Sequence, residues 1–209
     1  MRKTLMLLFA LLGALLVAAP AATAGPNKAI TISASRPIVV YGQSVTLSGK
    51  VSMPQSGQKV DILAQPFGLS TMSALSTVDT ANGGQWTFVT KPTIQTTYQA
   101  QWKGQTSATV DVKVRPVITL TLVSMKGRVG TFTTTATAAR AFAGKFVNIQ
   151  RVTSFGTTTL KKVTLDASST ATFKIRLSHG RSRLRVVMPT SQAAPGYITG
   201  FSNVLMVKR

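Results

Sequence analysis

Cysteine is absent from the 209 residues, histidine occurs once, and aspartate and glutamate together number four. Without cysteine there is no disulfide framework, no thiolate metal site and no lipid-bearing cysteine. One histidine and four scattered acids do not supply a histidine-rich zinc site or a carboxylate cage for calcium. No phosphate-cradling glycine loop is present either. Helical periodicity is missing as well, since no segment repeats its apolar residues at 3.6. Beyond the N-terminal stretch, no apolar run approaches the ~20 residues needed to span a bilayer.

That N-terminal stretch reads as a leader. Arg2 and Lys3 precede an apolar run from Leu5 to Ala19, and Pro20 and Ala22-Thr23-Ala24 then give the small-residue pattern of a cleavage site. Residues 1–24 are therefore expected to be a signal peptide that is removed. An uncleaved anchor is the alternative, and the run is short for that purpose. The expected location is secreted or extracellular, in association with the cell envelope.

Charge is heavily one-sided. Setting aside Arg2 and Lys3 leaves 22 of 24 basic residues against four acids, a net of +18. Such a balance speaks to anionic partners and association rate, and not to fold.

What the chain has in abundance is alternation. In "YGQSVTLSGKVS" (41–52), Val45, Leu47, Gly49 and Val51 share one face, and Ser44, Thr46, Ser48 and Lys50 the other. The same period of two places Val60, Ile62 and Ala64 together, then Trp86 with Phe88, then Tyr98, Ala100 and Trp102, then Val110, Val112 and Val114. Short strands at this spacing predict an all-β sandwich or barrel.

At Arg115-Pro116 the pattern restarts. A shift of 87 lays "GKFVNIQ" (144–150) over "GQKVDIL" (57–63), and sets Phe132, Thr134, Ala136 and Ala138 against Val45, Leu47, Gly49 and Val51. Near that spacing "STATFKI" (169–175) matches "GQWTFV", "SRLRVVM" (182–188) matches "TYQAQW", and "SNVLMV" (202–207) matches "SATVDV". Two copies of one β-domain are expected, residues 25–115 and 116–209, joined without a flexible linker.

Tyr41-Gly-x-x-Val-x-Leu-x-Gly49, Gly57-x-x-Val-x-Ile62, Gly84-x-Trp-x-Phe88 and Thr96-x-Tyr-x-Ala-x-Trp102 resemble bacterial immunoglobulin-like domains. The second copy keeps the outline, with Leu184 and Met188 in place of Tyr98 and Trp102. The resemblance implies two tandem seven-stranded Greek-key sandwiches of exported and surface proteins, in roles from spacer and adhesin segment to carbohydrate- or protein-binding module. Tyr98 then stands either as a tyrosine corner bonding nearby backbone or as a core aromatic with its hydroxyl at the edge.

Catalysis is not expected. Asp61 and Asp111 alternate with core residues and should face solvent, Asp79 should cap the "TANGG" turn, and Asp166 sits in the corresponding turn "LDASS". His179 lies in the turn "LSHGR" with no acid near it in sequence to orient it. No cofactor and no metal are predicted.

Binding is another matter. Residues 25–115 carry eight bases and three acids, +5, whereas 116–209 carry fourteen and one, +13. Lys161, Lys162, Lys174, Arg176, Arg181, Arg183 and Arg185 are the anion-binding candidates, the last three forming an outward row about 14 Å long at ~6.8 Å per two residues. In a Greek key, Lys174 and Arg176 would face away from that row, whereas a direct hairpin at "SHG" would unite them. The bland reading is a solvated basic surface; the functional one is an anionic envelope or extracellular polymer held by guanidinium forks. A protein partner stays open. Specific nucleic-acid binding is not expected, because Trp86, Phe88, Trp102 and Phe173 all fall on inward positions and leave no base-stacking platform. The loop "PTSQAAPGYITG" (189–200) replaces the short Lys103-Gly104-Gln105, and its Tyr197 is either a loop contact or a cover for its own core.

Overall fold

The computed structural model describes residues 29–208, so the expected leader at 1–24 lies outside the described residues. In the first half the strands are Ser33–Ala34 (β1), Ile38–Val40 (β2), Val45–Lys50 (β3), Lys59–Pro66 (β4), Ser73–Asp79 (β5), Gln85–Thr90 (β6), Thr96–Trp102 (β7), Gln105–Thr106 (β8) and Val110–Arg115 (β9). One sheet has the order β1-β3-β6. The other runs β2-β9-β7-β4-β5, with β8 paired to β7 and β2 parallel to β9.

The second half follows with Val117–Lys126 (β10), Val129–Thr137 (β11), Phe146–Thr153 (β12), Gly156–Thr164 (β13), Thr170–Arg176 (β14), Arg181–Met188 (β15), Gly200–Phe201 (β16) and Leu205–Lys208 (β17). Its sheets are β10-β11-β14 and β13-β12-β15, with β16 and β17 both on the outer edge of β15. In both halves the chain crosses repeatedly between its two sheets: β1 to β2, β2 to β3, β3 to β4, β5 to β6 and β6 to β7 in the first, and β11 to β12, β13 to β14 and β14 to β15 in the second. Two sheets joined by those crossings form the Greek-key sandwich of the immunoglobulin-like class, built twice in tandem. No sheet mixes strands of the two halves.

The halves repeat down to single hydrogen bonds. Gly57 N donates to Thr80 O at 2.8 Å, and Gly144 N to Leu165 O at 3.0 Å. Ser107 receives the Ala100 amide on its hydroxyl and Ser202 receives the Val186 amide in the same way, both at 2.9 Å. Turn and ladder groups are thus satisfied alike in both copies, as buried backbone requires.

Alternation decides the cores. Leu47, Val60, Ile62, Trp86, Tyr98, Trp102 and Val112 fill the first sandwich, and Phe132, Phe142, Ile149, Phe173, Leu184 and Val186 the second. Where Leu184 and Met188 stand for the larger Tyr98 and Trp102, the Phe132–Phe173 stack (centroids 5.8 Å apart) supplies aromatic bulk. Each such side chain, fully buried, stabilises by roughly 1.5–3 kcal/mol, which is how the sandwiches hold without disulfides. Gly49 interrupts the apolar row because a Cβ there would lie 1.9 Å from Thr31 O and 2.7 Å from the Trp86 ring. Tyr98 is a core aromatic, 2% exposed, and burial pushes the pKa of its phenol up.

Between the halves, β9 passes through Pro116 directly into β10. Residues 189–199 then fold back, beginning with one helical turn at Thr190–Ala193 (α1), and bond to the first half. Gln95 N donates to Gly196 O and Ile198 N to Val114 O, both at 3.0 Å, while Arg115 Nη1 reaches Thr199 O.

Candidate anion-binding site

The two-sheet topology divides the seven basic candidates. Lys174 and Arg176 lie on β14, opposite Thr131 and Val129 of β11. Lys161 and Lys162 on β13 and Arg181, Arg183 and Arg185 on β15 belong to the other sheet, with β12 between them. The sheet crossing separates the groups, and the direct hairpin at "SHG" does not form.

Within the second sheet the members differ in what they touch. Lys162 Nζ lies 3.6 Å from the Phe146 ring centroid, and Lys161 stands exposed at the β-bulge of β13. Arg185 is engaged already: Nη2 donates to Gln150 Oε1 at 2.9 Å, and the guanidinium lies 5.3 Å from the Phe201 ring, which Arg115 also approaches at 5.1 Å. Arg181 and Arg183 are exposed, paired across the ladder with Lys208 and Met206. Like charges directly opposite one another cost stability. They also concentrate positive potential at this edge.

Beside them opens a groove of about 400 Å³ lined by Arg151, Val152, Thr153, Ser178, Arg181, Ser182, Arg183 and Met206. Arg151 follows Val147 and Ile149 on the core-facing side of β12, opposite Leu184, and its Nε is buried without a hydrogen-bond partner. Sequence reading missed this residue although the signal was present. The shift of 87 sets Arg151 against Ala64, so a cation stands where the first copy has a buried methyl group. Three arginines thus line one opening.

This groove is at the end of the second half remote from the first. Leu177 N bonds Arg128 O at 2.8 Å, which sets the β14–β15 loop against the β10–β11 turn. Ser178 and Thr153 share the groove, which adds the β12–β13 turn. Asp166, the sole acid of this half, is at the opposite end of β14, ~20 Å away at ~3.4 Å per residue. The remaining acids are all in the first half: Asp61 accepts from Thr77 Oγ1 and Asp111 from Thr97 Oγ1, both at 2.6 Å.

One expectation is corrected here. Asp79 does not cap its turn but pairs with Lys59 at 2.7 Å, whereas Asp166 does occupy the corresponding turn, since Asp166 N bonds Thr170 O as Ala81 N bonds Gln85 O. Asp166 Oδ1 collects Ser168 Oγ, Ser168 N and the Thr170 amide, and the Ser168 hydroxyl above all holds its pKa below the ordinary value. Of the two readings of Tyr197, the loop contact gives way to the cover over its own core: it is buried, edge-on to Phe142 at 5.9 Å, and it also donates to Thr93 O of the first half at 2.8 Å. Trp86, Trp102 and Phe173 are buried and Phe88 packs against the core, as their positions predict, whereas Phe155 is 100% exposed, with Phe67 and Phe201 also on the surface. Phe67-Gly68 and Phe155-Gly156 recur at the same hairpin turn of the two copies, a repeat the strand alignment stopped short of.

His179 is exposed in its loop. Among the described residues, no three His, Cys, Asp or Glu side chains gather as a metal site, and no helix is long and apolar enough to cross a membrane.

No family model and no curated protein matches the sequence. Among solved structures, a tetra-tandem repeat in the extending region of a large adhesion protein is similar at 13% identity and a TM-score of 0.35, over 85% of this chain and 49% of that one. A Salmonella alpha-2-macroglobulin variant is similar at 13% identity and 0.33, over 88% of this chain and 16% of that one. The chain thus spans about half the first and a sixth of the second. Both likenesses are loose, and the fold assignment rests on the strand order itself.

Proposed function

We propose that this chain is an exported, non-enzymatic pair of immunoglobulin-like modules that associates with the cell envelope or extracellular matrix by holding anionic polymers on its second module. The observation that carries the reading is the groove bordered by Arg151, Arg181 and Arg183 with no acid on its lining. Guanidinium forks pair with phosphates or carboxylates in a bidentate manner, and repeated anions along a polymer can engage several at once. The +13 balance of residues 116–209 adds long-range attraction. The same lining offers hydroxyls from Thr153, Ser178 and Ser182 but no imidazole or carboxylate to activate them, which supports binding rather than turnover.

Retention of the chain from Gly25 onward on isolated envelope should fall steeply as salt rises through the range where the Debye length shrinks below about 10 Å. The double variant Arg181→Ser/Arg183→Ser should be retained more weakly without loss of fold. Salt-independent retention, or retention unchanged in that variant, overturns the reading.

The bonded seam between the modules favours a second reading, a ligand-free spacer that fixes the distance between its ends. It predicts no salt-sensitive retention. A carbohydrate-binding module is disfavoured, because Phe67, Phe155 and Phe201 stand on separate elements instead of forming one aromatic platform.

A further inference from the structure

The free end of the second module combines two properties that one soluble polyanion does not satisfy together. Around the groove and the neighbouring turns stand Lys126, Arg128, Arg151, Arg176 and Arg181, with no acid among them. At the same end, apolar side chains stand in water: Phe155 wholly, Met206 of β17 at 59%, and Met125 and Val129 at 37% each. An exposed phenylalanine at a hairpin tip is costly to hydrate and adds nothing to the attraction of a charged chain. The repeat sharpens the contrast. In the first module the corresponding Phe67 lies against the second, since a Cβ on Gly196 would be 3.3 Å from its ring. Phe155 has no such cover.

We infer that this end docks on an anionic lipid bilayer, with Phe155 entering the boundary between headgroups and acyl chains while the surrounding cations pair with lipid phosphates. The chemistry is that of interfacial anchors, in which an aromatic ring sits at headgroup depth and each basic residue adds attraction to an anionic leaflet. The β10–β11 turn, the β12–β13 turn and the β14–β15 loop form the contact, and the seam carries the first module away from the surface. This goes beyond the polymer reading and does not require it.

The test is flotation of the chain from Gly25 onward with vesicles of phosphatidylcholine alone or mixed with phosphatidylglycerol, beside binding to a soluble polyanion, dextran sulfate. Binding is expected on the mixed vesicles and not on the neutral ones. Phe155→Ser should weaken it by at least about tenfold, the effect of returning one buried aromatic to water. Because Phe155 is fully exposed, that variant keeps its fold. Phe155→Trp should be quenched by brominated acyl chains. Binding to dextran sulfate without binding to mixed vesicles overturns this inference and leaves the polymer reading standing. Vesicle binding without dextran sulfate binding does the reverse. Vesicle binding unchanged by Phe155→Ser and unquenched in Phe155→Trp also overturns it.

Discussion

Tyr197 shows how one side chain acquired a role that its sequence context did not announce. Its hydroxyl donates to Thr93 O at 2.8 Å and accepts from Ala139 N at 3.2 Å, while its ring covers Phe142. Tyr197→Phe should keep the ring packing, lose both bonds and cost about 1–3 kcal/mol in denaturant unfolding, because the partners are left unpaired under the loop. An unchanged midpoint would show that water replaces the phenol without loss. Asp166 offers a second test at this scale. The Ser168 hydroxyl and the Thr170 amide favour its ionised form in the folded state, so the stability it lends is present above the ordinary value of 3.8 and is lost as pH falls through the lower, folded value. The Thr170 amide shift should therefore titrate with a midpoint below 3.8. A midpoint at or above that value contradicts the assignment.

Strands were legible because a sheet with one buried face forces a period of two upon the sequence. Val45, Leu47 and Val51, or Phe132, Thr134 and Ala136, announced their side of the sheet, and all are buried. What period two cannot show is which sheet a strand joins. Lys174 and Arg183 read alike as outward cations, yet β14 and β15 belong to different sheets. It also cannot distinguish an apolar lining from the open end of a sandwich, where Arg151 takes a core-facing place and still lines a groove. Turns escape the rule altogether, which is why Phe155 was overlooked. At this scale, Lys161→Ser/Lys174→Ser should leave retention on envelope within about twofold of the parent, since exposed single charges away from the contact contribute little. The β15 pair, by contrast, should reduce it well beyond that. Equal losses from both pairs would make the binding a matter of overall charge.

For the molecule as a whole, two sandwiches alone would tumble independently on a short linker. Here the loop at 189–199 adds backbone bonds at Gln95 and Ile198 and the Arg115 contact, so the modules should reorient as one body. Gly196 is the weak point of that seam, with φ +82 and a would-be Cβ 2.5 Å from Ile94 Cδ1. Gly196→Ala should separate the modules' rotational correlation times in NMR relaxation, and a single shared correlation time would show the seam holds without it.

Whether cations at the free end make the contact is most directly read from the salt slope of binding to dextran sulfate. Plotted as log affinity against log salt, the slope should become shallower by about one for each arginine removed, hence by about two in Arg181→Ser/Arg183→Ser. A parent-like slope in that folded double variant would contradict the account.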